Sequence, residues 1–319
     1  MTSYGYFLSS EEHGPPALLD QAVLAERSGF DALWISDHYH PWIDEQGQSP
    51  FVWSVLGAIA ARTERVRCST AVTAPTVRIH PAVLAQAAAT TQVMFDGRFS
   101  LGVGSGEALN EHILGGAWPT ADVRLEMLEE AVEVMRELWS GDVVRHRGRH
   151  YTVDTARIYT LPRQGVRVLV SGFGPKATEL AARIGDGYVT TTPDPELISL
   201  YRKNGGQGPV QGGVKVCWAA TREEARKTVH RLWPNAAIPG EAAQVLPSPA
   251  HFEQVSELVD EDTATKSVAC GPDVADFVES IKKYVDAGVD EVYISQIGHD
   301  QEGFFRFWDS ELREALAGL

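Results

Sequence analysis

Ala32-Leu33-Trp34-Ile35-Ser36-Asp37-His38-Tyr39-His40-Pro41-Trp42 decides how the rest of the chain is read. Its first four residues are apolar without interruption, the pattern of a strand buried on both faces, as in a parallel sheet. Asp37, His38 and Trp42 follow where that run stops. In α/β folds built on parallel strands, ligands bind at the C-terminal strand ends. A histidine placed there exchanges a proton near neutral pH, and a tryptophan beside it offers a flat apolar wall for a ring. Adjacent residues on extended backbone point to opposite faces, so Asp37 and His38 need not touch.

The same grammar repeats in both directions. Strands are expected at 3–8, 32–36, 66–71, 98–103, 166–171, 187–191, 214–219 and 291–295, with helical patterns between them. Leu18, Leu19, Ala22, Val23 and Ala25 recur at helical spacing over 15–28, ahead of Gly29. Pro81 opens a helix that closes before Asp96-Gly97, and the pattern over 122–139 meets Gly141. Further helices are expected over 176–184, 273–287 and 301–316. Eight strands alternating with helices predict a (β/α)8 barrel in one domain over 1–319. A doubly wound sheet is the competitor, weakened by the lack of a Gly-x-Gly-x-x-Gly after the first strand. Two segments read as insertions at the C-terminal mouth: 143–162, with a hairpin around Gly148, and the proline-rich 232–259.

Composition narrows the function. The 319 residues carry a net charge of −15, with 28 Lys+Arg against 43 Asp+Glu. No basic stripe offers a face for a nucleic acid, which binds by displacing counterions. No run of about 18 apolar residues predicts a membrane span, and the N-terminus does not read as a signal peptide. Cys68, Cys217 and Cys270 lack metal-ligand spacing and are expected to be small buried residues in a reducing cytoplasm. The expected partner is a small molecule.

Candidate site residues fall at the other strand ends too. Glu11 follows the first strand, where it is either a solvated loop carboxylate or a pocket group. Ala71, Val72 and Ala74 end the third strand with small or β-branched side chains that suit a flat ring lying against backbone. Leu101-Gly102-Val103-Gly104-Ser105-Gly106-Glu107-Ala108-Leu109-Asn110-Glu111 has three glycines at alternating positions, which allow a ligand to approach the backbone. Glu107 at that strand end is a candidate general acid, with Ser105, Gly106 and Asn110 beside it. Ser171-Gly172-Phe173-Gly174 opens a helix whose backbone N–H groups favour an anion such as phosphate.

Taken together, Ser36-Asp37-His38-Tyr39-His40-Pro41-Trp42, Gly104-Ser105-Gly106-Glu107-Ala108-Leu109-Asn110-Glu111, Gly115-Gly116-Ala117-Trp118-Pro119 and Gly298-His299-Asp300-Gln301 resemble the luciferase-like superfamily. Within it they are similar to the branch around the coenzyme F420-dependent glucose-6-phosphate dehydrogenases. The resemblance spans nearly the whole chain and weakens between about 193 and 268. It implies a (β/α)8 barrel, usually a homodimer, and a site for the deazaflavin F420, an obligate two-electron hydride carrier. It implies that His38 is the base on the substrate hydroxyl, and that Glu107 protonates the ring nitrogen. Trp42 would pack at the reaction centre, with Glu11 lining the substrate pocket. Asp37, Asn110 and Ser171, Gly172, Phe173 and Gly174 match cofactor-contacting positions, and a non-proline cis peptide is implied at Ala71-Val72.

One departure bears on the substrate. The sugar-phosphate enzymes of that branch use basic residues after the sixth strand, in the long insertion and before the last helix–strand unit. Here the first of these regions reads Thr192-Pro193-Asp194, and no Lys or Arg occurs from Leu232 through Thr265, leaving only Lys266 near the third. A phosphate dianion needs charge-assisted donors, so glucose 6-phosphate is not expected to be the main substrate. The expected activity is F420-dependent oxidation of an alcohol or sugar-type carbon, or its reverse. A sugar-phosphate dehydrogenase, an FMN-dependent monooxygenase and a cofactor-binding protein with little catalysis are the alternatives.

Overall fold

Short apolar runs alternate with capped helices along the chain, and the capping residues set the boundaries. Proline occupies the first turn of the helices Pro15–Arg27, Pro81–Met94, Pro175–Ile184 and Pro195–Lys203, where a missing N–H costs no hydrogen bond. The Asp194 carboxylate accepts from the backbone N–H groups of Glu196 and Leu197, and Asp273 accepts from that of Ala275. The computed structural model describes residues 2–319.

Among the described residues eleven strands form, namely β1 (Ser3–Leu8), β2 (Ala32–Ile35), β3 (Arg67–Thr70), β4 (Phe99–Val103), β5 (Val144–Arg147), β6 (Thr152–Ala156), β7 (Arg167–Ser171), β8 (Gly187–Thr190), β9 (Val210–Cys217), β10 (Ala269–Cys270) and β11 (Glu291–Gln296). Eight of them pair in parallel and close on themselves in the order β1-β2-β3-β4-β7-β8-β9-β11, with β11 returning to β1. Helices separate the strands and cover the outside, giving the expected (β/α)8 barrel. The two-residue β10 pairs only with β9, outside the ring.

Inward-facing side chains fill the barrel in layers. At the lower layer the Glu291 carboxylate accepts from Arg67 (2.7 Å), Gln211 (2.7 Å) and the Tyr293 hydroxyl (2.8 Å). Gln211 in turn accepts from the Trp34 indole at 2.9 Å. Above this polar layer, Trp34 and Tyr293 stack with centroids 4.2 Å apart and planes 9° apart. Their rings, with Phe7 edge-on to Trp34, pack into one cluster, and Phe7 and Trp34 line the cavity at the strand ends.

The structure departs from the sequence expectation in three places. β9 begins at Val210 and ends at Cys217, four residues earlier and two residues earlier than expected from 214–219. The last helical segment, 301–316, is interrupted by a π-helical turn over Trp308–Leu312. The hairpin β5–β6, expected with strands at 143–145 and 150–153, pairs antiparallel one to three residues beyond those positions and lies along the outside of the helix Ala121–Leu138. Glu130 of that helix accepts from the backbone N–H groups of Arg149, His150 and Tyr151, and the Tyr151 hydroxyl reaches the carbonyls of Pro75 and Thr76. The second insertion folds into three short helical pieces, Pro234–Ala237, Ala242–Val245 and Pro249–Ser256. Among the described residues no helix is long and apolar enough to cross a membrane. All three cysteines are free and buried, as expected.

Candidate functional site

The C-terminal strand ends open into a cavity of about 480 Å³. Its wall includes Glu11, Asp37, His38, Trp42, Ala71, Val72 and Ala74, and also Ser105, Gly106, Glu107, Asn110, Ser171, Gly172 and Phe173. Gly174 stands apart as the N-cap of the next helix and is not part of the wall.

His38 and Glu11 form the most connected pair. Glu11 is buried, so it is not a solvated loop carboxylate. One of its oxygens accepts from the hydroxyls of Ser36 (2.7 Å) and Ser9 (3.0 Å), and the other lies 3.4 Å from His38 Nε2. Burial pushes the Glu11 carboxyl up, but His38, the Ser36 hydroxyl and Lys215 together bring it below the usual value. His38 Nδ1 lies 3.1 Å from the His40 carbonyl, which can only accept, so Nδ1 carries a proton and Nε2 is the atom left for chemistry. The Trp42 ring tilts against His38 at 5.0 Å and meets Phe252 of the second insertion edge-on at 5.1 Å.

A second network fixes the other side. Asp37 accepts from the Thr73 hydroxyl (2.8 Å) and from Arg78 (2.9 Å). Arg78 also meets Glu111 through its side chain and through its backbone N–H. Burial first, and the nearby carboxylates of Asp37 and Glu107 next, raise Glu111, against the pull of Arg78. Asn110 accepts from the backbone N–H groups of Tyr39 and His40 and donates to Glu107 Oε2 at 3.2 Å. Its amide thereby holds the loop after β2 in register with Glu107, which is half-buried at the rim.

Between these networks the wall is nearly flat. A Cβ on Gly104 would lie 2.8 Å from Val72 Cγ2, and Gly106 has φ of 83°, a conformation that side chains disfavour. The peptide Ala71–Val72 is cis. Gly172 packs so closely on the following helix that a Cβ would stand 2.9 Å from the Ala177 carbonyl carbon.

The strand order sorts the wall into two arcs. The flat arc comes from the ends of β2, β3, β4 and β7, which are neighbours in the ring. The other arc comes from β9, β11 and β1 and carries Lys215, Ser295 and Glu11. The second insertion roofs the cavity with Trp233, Asn235, Ala236, Ile238, Ala243 and Gln244. Sequence reasoning passed over Lys215, Arg78 and Trp233. Lys215 was hidden inside an apolar strand, and the acidic partners of Arg78 lie 41 and 33 positions away. Behind the wall, Glu12 is buried and accepts from the Trp233 indole (2.6 Å) and the Gly298 backbone N–H (2.8 Å). Burial outweighs these bonds and pushes Glu12 up to about 7. Among the described residues no cluster of His, Cys, Asp and Glu is set to hold a metal ion.

Comparison with known proteins agrees with this geometry. The luciferase-like monooxygenase family model matches residues 2–291. The chain belongs to that family. This luciferase-like chain is 39% identical to an F420-dependent glucose-6-phosphate dehydrogenase of Microbacterium testaceum, over 98% of the chain and 97% of the relative. It is 36% identical to the protein of the same description from Nakamurella multipartita, over 99% and 97%. Among solved structures, an F420-dependent secondary alcohol dehydrogenase in complex with an F420–acetone adduct superposes with a TM-score of 0.91 at 30% identity, covering 99% of both chains. The luciferase-like motifs quoted from the sequence thus gather at one end of one barrel.

Proposed function

We propose that this protein is a coenzyme F420-dependent oxidoreductase that moves a hydride between the deazaflavin and an alcohol-type carbon of a small substrate. The observation that carries the reading is that His38 and Glu107 open onto one cavity, with a flat glycine-lined arc beside them. That arc fits a planar ring, since Gly104 and Gly106 leave room that side chains would fill. The relatives above, each described as F420-dependent, support the same cofactor.

Asp37, Ala71, Val72, Ala74, Ser105, Gly106 and Asn110 would hold the ring, with Ser171, Gly172 and Phe173 toward its tail and Gly174 capping the helix behind them. When bound, F420 accepts or returns a hydride and so supplies the redox chemistry. The chain's own residues handle protons and placement. His38 takes the substrate hydroxyl proton at Nε2, because Nδ1 is already committed to the His40 carbonyl. Glu11, 3.4 Å away, balances the charge the imidazole then carries. Glu107, oriented by Asn110, is the second proton-carrying group, on the cofactor side. Trp42 excludes water and fixes the His38 ring.

Titration should show tight binding of F420 and weaker binding of FMN. His38→Ala should keep F420 affinity within about threefold and lower turnover by about 10²–10⁴, the usual worth of a positioned acid–base group. Loss of cofactor binding together with turnover would show that His38 is structural. The same reading makes glucose 6-phosphate a poor substrate, because Lys215 is the only Lys or Arg among the described residues of the cavity wall. The relatives' descriptions favour a sugar-phosphate dehydrogenase instead, and efficient F420 reduction by that sugar phosphate would decide for it. The reading also takes the protein as a cytoplasmic homodimer, which sedimentation velocity of the purified protein checks for assembly.

A further inference from the structure

Lys215 sits near the end of β9, in register with Ser295 of the neighbouring β11. Its strand neighbours on the same face are Gln211 and Gly213, both directed into the barrel, so the period of two sends Lys215 into the cavity above them. Its ammonium lies 4.1 Å from the Trp233 ring centroid and 5.7 Å from that of Phe7. Among the described residues no carboxylate lies within ion-pair distance of it and no hydrogen-bond acceptor meets it, although Glu11 and Glu12 are near enough to act through space. The two aromatic faces hold a cation but leave its N–H donors unused.

A second orphan lies on the same wall. Asn235, two residues from Trp233, is 93% buried by its 7% exposure, and its Oδ1 has no hydrogen-bond partner. Buried polar atoms are rarely left alone, and an unused donor and an unused acceptor on the lining of one cavity describe a ligand that is still to come. Both groups belong to the arc and roof away from the flat wall, so that ligand is the substrate rather than the ring.

We propose that Lys215 anchors the substrate through a single carboxylate, making the preferred substrate a hydroxy acid or, in reverse, an oxo acid. The proposal rests on the oxidoreductase reading above. Charge selects the anion. The cavity wall has one ammonium among Glu11, Asp37, Glu107 and Glu111, and Arg78 is already committed to two of these. One ammonium matches a monoanion, whereas a phosphate dianion would remain uncompensated beside those carboxylates. Lys215 takes no part in the hydride or proton transfers and acts by binding alone.

The test is a panel of small hydroxy acids, 3-hydroxybutanoate first, each run beside its uncharged methyl ester with excess F420. The wild-type enzyme should prefer acid over ester by about tenfold or more in kcat/KM, the worth of one charge-assisted hydrogen bond. In Lys215→Met the acid-to-ester ratio should fall to about one, with the loss in KM for the acids. F420 fluorescence titration of the variant reports folding and should give wild-type affinity. An ester preference in the wild type, no hydroxy acid accepted by an F420-loaded enzyme, or equal losses on acid and ester in the variant would each overturn the carboxylate anchor. Failure of both proteins to bind F420 would instead overturn the oxidoreductase reading beneath it.

Discussion

At the residue scale, two neighbours of Glu11 set opposed pH dependences. Glu12 is pushed up to about 7 by burial, while His13 is pushed down to about 4, by burial first and by His299 next. A raised folded value means that Glu12 contributes stability below about 4.5, which is lost as pH rises through 7. A depressed folded value means that His13 contributes stability above about 6.5, which is lost as pH falls through 4. Between about 4.5 and 6.5 the two slopes cancel. Glu12→Gln should remove one of them, so that urea-denaturation stability of the variant climbs with pH in that window at about 1.4 kcal/mol per unit. A flat profile in the variant would show that His13 does not titrate as its burial requires. Glu11→Gln should lower turnover by about tenfold or more by leaving the His38 imidazolium without its counter-charge, with F420 affinity as the control. These residue-level roles were partly legible: His38, Glu11 and Glu107 stand at strand ends, where a reader looks for chemistry. Glu12 and Lys215 were not, because burial against distant segments decides what each can do.

At the element scale, the strands were read well where apolar residues are unbroken, as in β2, and worst in β9. Val210-Gln211-Gly212-Gly213 opens that strand, and paired glycines argue against one. Packing supplies the reason for them: a Cβ on Gly212 would stand 2.9 Å from the Tyr284 ring, and one on Gly213 would stand 2.6 Å from that of Trp34. The second insertion was recognised as an excursion, but its folded form depends on contacts that sequence spacing does not show. Its main anchor is Phe252, fully buried with Ile43 and Leu109 and edge-on to Trp42. Phe252→Ala should therefore loosen the roof and let Trp42 swing. Hydrogen exchange should rise across 234–256, KM should increase, and the local cost should approach the ~3–5 kcal/mol typical of a buried Phe→Ala change. Unchanged exchange in 234–256 would show that the roof is held elsewhere.

At the scale of the whole molecule, the barrel is closed by side chains as well as by backbone ladders. Glu291 on β11 ties the neighbouring β9 through Gln211 and, across the barrel, β3 through Arg67, a strand that β11 does not touch in the ring. Glu291→Ala strands the Gln211 amide and the Tyr293 hydroxyl in the interior, at roughly 1–3 kcal/mol for each donor. The urea midpoint should drop accordingly while F420 affinity holds, since the change lies below the Trp34–Tyr293 stack. The barrel class was legible because eight similar units repeat, whereas this cross-barrel tie joins positions 224 apart in sequence. The roof has the opposite character. Every residue it lends to the cavity, from Trp233 to Gln244, comes from one unbroken stretch, while the proton-handling groups are rooted in the barrel itself. A relative's equivalent stretch grafted in its place would be a modular exchange, retuning which molecules are admitted without rebuilding the engine underneath.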